Sequence, residues 1–259
     1  MRPSFASIAE SIRQRLEPVP WACVTIPTPP PLSAGRLVRE LAGMRVAAGL
    51  LLRAPSLAHQ PRGGGAPVLV VPGFGAGDGS TALLRGYLGL LGYRVRGWGL
   101  GRNRGNVGAL VPRVTEIVTA LASQEGQPLR LVGWSLGGYL VREAARERPE
   151  AVARIVTFGS PVVGGPKYTA TAEAYRRRGY DLDTIEAEAA ARERVPITVP
   201  ITAIYSRADL VVSWQACIDH SSPQVEHVEV RSTHLGLGVD PEVFRIVAER
   251  LAPGRKPEV

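Results

Sequence analysis

Cysteine is nearly absent: Cys23 and Cys217 are the only two in 259 residues. A disulfide framework and a four-cysteine zinc site are therefore excluded, and at most one bridge, between these two, can form. Lysine is as scarce, with Lys167 and Lys256 alone, so the net charge of +8 rests on arginine. Those arginines are scattered along the chain, the pattern of a solvated basic face rather than of a patch for nucleic acid. Long apolar runs are missing too. The most apolar early stretch, Leu41 to Ala58, is broken by Arg45 and Arg53 and falls short of the roughly 20 residues that a membrane span requires. A helix packed on the core is the reading of that stretch. Met1 to Glu17 has no apolar centre and carries Glu10, Arg13, Arg15 and Glu17, unlike a secretory signal. The expectation is a soluble, cytoplasmic chain, with contact to a membrane surface as the alternative. No repeat of 20–50 residues is visible, and 45% hydrophobic residues are enough for a sizeable core, against global disorder.

What is present divides into two regimes. Residues 1–60 hold a proline-rich stretch, Pro18 to Pro31, and a helical pattern from Ser33 to Leu52, with no functional role legible in them. Gly63, Gly64 and Gly65 read as a flexible joint. From 66 to 259 short β-branched runs alternate with amphipathic helices. Val68–Val71 is a continuous apolar run of the kind found in strands buried on both faces. A helix over Ser80–Leu91 follows, with Leu83, Leu84, Tyr87, Leu88 and Leu91 on one face, and then a strand over Tyr93–Leu100. Tyr93 to Trp98, followed by Arg102 and Arg104, interleaves aromatics with arginines as a nucleic-acid platform would, but its position in the alternation favours a strand. Asn106 can cap the next helix, with Leu110, Val111, Val114, Ile117, Val118 and Leu121 at helical spacing. Further strands are expected over Leu129–Trp134, Ala153–Phe158, Ile201–Ser206 and Val225–Val230, and helices over Leu136–Arg148 and from Asp240 to Leu251. Alternation of this kind predicts an α/β fold with a doubly wound, mostly parallel sheet of about six strands. It is interrupted by residues 162–200, rich in alanine and charge, which read as a short helical cap.

Gly133-Trp134-Ser135-Leu136-Gly137 matches G-x-S-x-G. The match is weak alone, but it falls between a strand and a helix, where a sharp turn would expose Ser135 at the carboxyl edge of the sheet. A nucleophilic serine needs a base and a group to orient that base. Of four histidines, His227 falls within the last strand, His59 in the N-terminal segment and His220 in a polar turn. His234 follows the last strand on the edge that carries Ser135, and Asp209 follows the fifth strand on the same edge. Asp219 is the competing acid, ten residues further on. The Phe74 amide, after the first strand, is placed to donate to an oxyanion, as is the amide of Leu136 at the start of a helix. A dinucleotide site and a P-loop are both excluded: no acidic residue ends the second strand, and no Gly-Lys-Ser/Thr occurs.

Over roughly Pro67 to Leu251 the chain resembles the α/β-hydrolase superfamily, and within it bacterial lipase- and esterase-like proteins. The resemblance rests on VVPGFG, GWSLGG, TFGSP at Thr157–Pro161, YSRADLVV and STHLGLG. It implies Ser135 as nucleophile, His234 as base and then acid, Asp209 as its orienter, and the Phe74 and Leu136 amides as oxyanion hole. Pro72 departs from the pattern, since many lipases carry His there; the amide donors survive the change. The implied activity is cleavage of carboxylic esters, small-molecule or lipid, through an acyl-enzyme, with no metal or organic cofactor and no nucleic-acid partner. Acyl transfer by the same triad is the nearest rival, and a catalytically silent binding protein of the same fold is the other. The 162–200 segment occupies the usual position of a lid. An apolar acyl chain is expected beneath it, against Trp134, Tyr175, Tyr180, Leu182 and Ile185, and also Tyr168, with Arg176–Arg178 turned to water or anionic lipid.

Overall fold

The computed structural model describes residues 26–254. Cys23, with any bridge to Cys217, and the first part of the proline-rich stretch lie outside the described residues. The chain enters through helix α1 (Ala34–Gly43), a tight turn, and the short helices α2 (Ala48–Leu52) and α3 (Ala54–Ala58). Gly63 and Gly65 then donate to the carbonyls of Leu91 and Gly92, and a Cβ on Gly63 would strike the Tyr93 ring. The expected flexible joint is thus a pinned crossing.

Strand β1 (Pro67–Val71) is buried at every position, which accounts for its unbroken apolar run. After it come α4 (Ala82–Leu90), β2 (Arg94–Gly97), α5 (Val107–Glu125), β3 (Leu129–Trp134), α6 (Leu136–Glu147) and β4 (Val152–Phe158). Residues 162–200 carry α7 (Ala172–Arg176) and α8 (Leu182–Glu193). The chain closes with β5 (Ile201–Ser206), β6 (Val225–Val230), the short α9 (His234–Leu237) and α10 (Pro241–Leu251). The six strands form one all-parallel sheet in the order β2-β1-β3-β4-β5-β6. Strand order reverses between β1 and β3, and a crevice opens at the carboxyl ends of strands at such a switch point.

Alternation along the strands divides the core. Val68, Val70, Val132, Val156 and Ile204 face α4 and α10, whereas Leu69, Val71, Leu131 and Ile155 face α5 and α6. Asn106 caps α5, its side chain accepting from the Ala109 amide at 3.2 Å, and Asp240 caps α10 by accepting from Glu242 at 2.8 Å.

Three expectations need correction. Strand β2 is shorter than Tyr93–Leu100 because the Asp78 carboxylate takes the amides of Trp98 (3.0 Å) and Gly99 (3.1 Å) out of strand pairing. Tyr93 and Trp98 are both buried, so they offer no stacking surface. Leu83 is 59% exposed, whereas Leu84, Leu88 and Leu91 are buried; it sits one position, about 100°, off their stripe. The third correction is the stretch Leu41 to Ala58, expected as a helix packed on the core. It is divided among the end of α1, a tight turn, α2 and α3; only Leu57 is buried, Leu50 packs partly against the core, and Leu41, Leu51 and Leu52 are exposed. Within α1 the one buried residue is Glu40, while Leu37 and Val38 are exposed.

Phe244 of α10 is fully buried and stacks on Tyr87 of α4 with centroids 5.5 Å apart. Phe244→Ala is expected to cost about 3–5 kcal/mol, read as a lower urea midpoint at unchanged m-value. A loss under about 1 kcal/mol would mean that this face is not close-packed.

Candidate active site

Ser135 joins β3 to α6 with φ 53° and ψ −124°, and among the described residues it alone, glycines aside, has a positive φ. A side chain in that region costs on the order of 1–3 kcal/mol and persists only where the surroundings enforce it. Here they do. The Ser135 amide donates to the Phe158 carbonyl at 2.9 Å and the Gly138 amide to the Ser135 carbonyl at 2.9 Å. A Cβ on Gly133 would meet the Gly138 backbone, on Gly137 the Val71 carbonyl oxygen, and on Gly138 the Ser160 hydroxyl. The glycines of the motif are therefore required by contact. The turn lifts Ser135 to the wall of a cavity of about 520 Å³.

His234, at the start of α9, lines the same cavity and is otherwise buried. Its Nδ1–H donates to Asp209 Oδ2 at 2.7 Å, which leaves Nε2 as the proton acceptor. Asp209 Oδ1 accepts from the amides of Val211 and Val212, each at 2.8 Å, so the carboxylate is fixed from both sides. Burial alone would lower the His234 pKa; the Asp209 charge and hydrogen bond, with Glu40 beyond, outweigh it and raise the pKa above the ordinary 6.5. Gly159, at φ +56°, passes so close that a Cβ there would lie 3.0 Å from His234 Nδ1.

Asp219 is committed elsewhere. It forms a buried pair with Arg142 at 2.6 Å and accepts from the Ser221 amide at 2.7 Å. His227 stays on β6, its Nε2 accepting from the Asp219 amide at 3.0 Å.

Phe74 and Leu136 line the cavity beside Ser135; at the first position of α6 the Leu136 amide has no intrahelical acceptor. Of the residues expected near an acyl chain, Tyr175, Tyr180 and Ile185 line the cavity. Trp134 and Leu182 stand behind the lining. Trp134 stacks between Phe158 (5.9 Å) and His234 (6.0 Å), and Leu182 is buried with Ala172 and Tyr175. Tyr168 turns away, its hydroxyl donating to Glu186 at 2.5 Å. Arg176, Arg177 and Arg178 are all exposed, the first two beside Glu173 and Arg178 over the Phe74 ring at 5.0 Å. α8 is tied to α6 by Arg192, which donates to the buried Glu143 at 3.1 Å. Among the described residues no group of three or more His, Cys, Asp or Glu is placed to hold a metal ion, and no helix is long and apolar enough to cross a membrane.

Three polar residues that the sequence reading passed over support these loops. Asn103, fully buried, donates to the Pro72 carbonyl at 3.0 Å while its backbone carbonyl accepts from Gly75 at 2.7 Å, so it holds the loop that carries Phe74. The buried Ser206 Oγ accepts from Ala208 (3.1 Å) and Ser232 (3.2 Å), tying the loops after β5 and β6 together. Glu40 reaches both of those loops from α1. No motif marks any of them.

No protein-family model matches the sequence, and neither does any curated protein. Solved structures do match. One of two metagenome-derived lipolytic enzymes superposes with TM-score 0.54 at 20% identity, over 74% of this chain and 93% of that one. A monoacylglycerol lipase from Paleococcus ferrophilus gives 0.53 at 16% identity, over 71% and 93%. A thermophilic esterase from Thermogutta terrifontis gives 0.52 at 18% identity, over 74% and 91%. At these identities the likeness establishes the fold: the chain has the α/β-hydrolase architecture that the sequence motifs resemble.

Asp219 generates a test of stability. Burial opposes its charge, but Arg142 outweighs that and holds the carboxyl well below the usual carboxylate range. A depressed folded-state pKa stabilises above the unfolded value of about 3.9 and is lost as pH falls through the folded one. Asp219→Ala leaves Arg142 buried and unpaired and is expected to cost about 3–5 kcal/mol at pH 7. In urea titrations its stability should also fall less steeply than wild type below about pH 4; parallel profiles would contradict the pairing.

Proposed function

We propose that this protein is a serine hydrolase that cleaves carboxylic esters through an acyl-enzyme on Ser135. One observation carries the reading: the buried His234–Asp209 pair, at 2.7 Å, opens on the same cavity as a serine held at φ 53°. In this reading Ser135 Oγ attacks the ester carbonyl while His234 Nε2 takes its proton. Asp209 keeps Nδ1 protonated and stabilises the imidazolium. The Phe74 and Leu136 amides receive the oxyanion, and the α6 N-terminus adds a favourable dipole. The imidazolium then protonates the leaving alcohol. Water attacks the acyl-enzyme with His234 as base again, and Ser135 leaves as the free hydroxyl.

The cavity supports an apolar acyl group. About 520 Å³ falls within the usual range for ligand sites. Leu32, Tyr175, Tyr180, Ile185 and Val211 contribute to its walls, so the 162–200 segment acts as a cap over the acyl chain. Burial of one methylene is worth roughly 0.8 kcal/mol, about fourfold in kcat/KM where the contact persists in the transition state.

Two measurements test the proposal. Asp209→Asn is expected to lower kcat by about 10⁴, and the wild-type kcat/KM should fall on acidification with an apparent pKa above 6.5, because His234 must be neutral and its pKa is raised. Near-normal turnover of Asp209→Asn would remove the acid from the mechanism. With p-nitrophenyl esters, kcat/KM should rise from acetate to octanoate and the rise should flatten in Ile185→Ala. A preference for acetate, unaltered in that variant, would leave the segment without a role in chain recognition.

A further inference from the structure

We propose that Glu40 is a positioning residue for the His234–Asp209 pair, which makes α1, from the segment that precedes the sheet, part of the active-site machinery. The inference rests on the reading of Ser135, His234 and Asp209 given above. Glu40 is 0% exposed. Its Oε1 accepts from the Leu210 amide and its Oε2 from the Leu235 amide, both at 2.9 Å. Leu210 follows Asp209 and Leu235 follows His234, so one carboxylate spans the two loops at the residues next to the pair. A buried carboxylate is costly unless hydrogen-bonded, and its two backbone bonds, charge-assisted, are directional as well as strong.

The rest of α1 is fitted to the same place. Arg36, one turn earlier, donates to the Leu210 carbonyl at 2.6 Å, so both polar groups of that residue are held from the helix. The Thr233 hydroxyl donates to the Glu40 carbonyl at 3.2 Å, and a Cβ on Gly43 would collide with the Thr233 side chain. This also accounts for the orientation of α1, with Glu40 inward and its leucines outward.

Glu40 acts on charge as well as on geometry. The charged groups that act on His234 are Asp209, from the loop after β5, and Glu40, from α1, and both favour the imidazolium. Arg36 is engaged by the Leu210 carbonyl. Trp134 of β3 and Gly159 after β4 approach the ring without formal charge, and Ser135 shares its cavity. The thiol of Cys217, near Asp209, is kept protonated by burial, which pushes its pKa well up.

The test compares Glu40→Gln and Glu40→Asp with wild type, measuring kcat, KM and the pH profile on p-nitrophenyl butyrate, with Ser135→Ala as control. Glu40→Gln removes the charge and turns a donor toward one of the two amides. It should lower kcat by up to about 100-fold with KM within about twofold, and move the acid limb of kcat/KM to lower pH. Glu40→Asp keeps the charge but is too short to span both loops. Its kcat should fall while its acid limb stays nearer the wild-type position, which supplies a readout even where Glu40→Gln folds poorly. Folded variants that keep the wild-type kcat and pH limb, whatever their loss of thermal stability, would overturn the inference. If Ser135→Ala instead hydrolyses the ester as fast as wild type, the fault lies with the serine reading and not with Glu40.

Discussion

Between β3 and α6 there is room for backbone and almost nothing else. Gly133, Gly137 and Gly138 each occupy a point where a Cβ would meet the main chain of a neighbouring turn or the Ser160 side chain. At the apex Ser135 takes a positive φ. The strain, on the order of 1–3 kcal/mol, is held by two backbone hydrogen bonds and by the packing of α6 against β3. Every other feature of the site is arranged around the side chain that this turn presents.

The arrangement follows from the parallel sheet. All six strands end on one side, so the segments that follow β1, β3, β4, β5 and β6 all leave from the same edge of the sheet. Convergence alone leaves loops mobile, and here buried polar groups remove that freedom. Asn103 fixes the loop after β1, Ser206 and Glu40 join the loops after β5 and β6, and two amides lock Asp209. Hydrogen bonds of this kind, made in a low-dielectric interior, hold side-chain geometry more tightly than apolar contact does. The site is thus rigid on the sheet side and covered on the other by α7 and α8, which reach the body of the fold through charged and aromatic contacts such as Arg192–Glu143 and Phe74–Tyr175.

The sheet was legible in the sequence because its strands obey their burial. Val68–Val71 is apolar throughout because both faces are covered, and β6, at the edge, is mostly half-buried and mixes valines with Glu226, His227 and Glu229. The meeting of Asp209 with His234 was legible for the same reason, since each follows a strand whose carboxyl end can be counted. Glu40, Asn103 and Ser206 were not legible. Their roles depend on which backbone amides lie opposite them, and periodicity carries no information about that. The α1 helix showed no role in the sequence for a related cause: what docks is a carboxylate and a guanidinium one turn apart. Trp134 was expected against the acyl chain. The alternation of β3 turns it toward Phe158 and His234 instead.

The central claim is that the residue in the strained turn is the nucleophile. Incubation of the intact protein with a fluorophosphonate, followed by mass measurement and peptide mapping, tests it directly. The account predicts one adduct per chain, on Ser135, formed much more slowly when His234 is replaced by alanine. A folded protein that takes no label at Ser135, or takes it equally fast without His234, would contradict it.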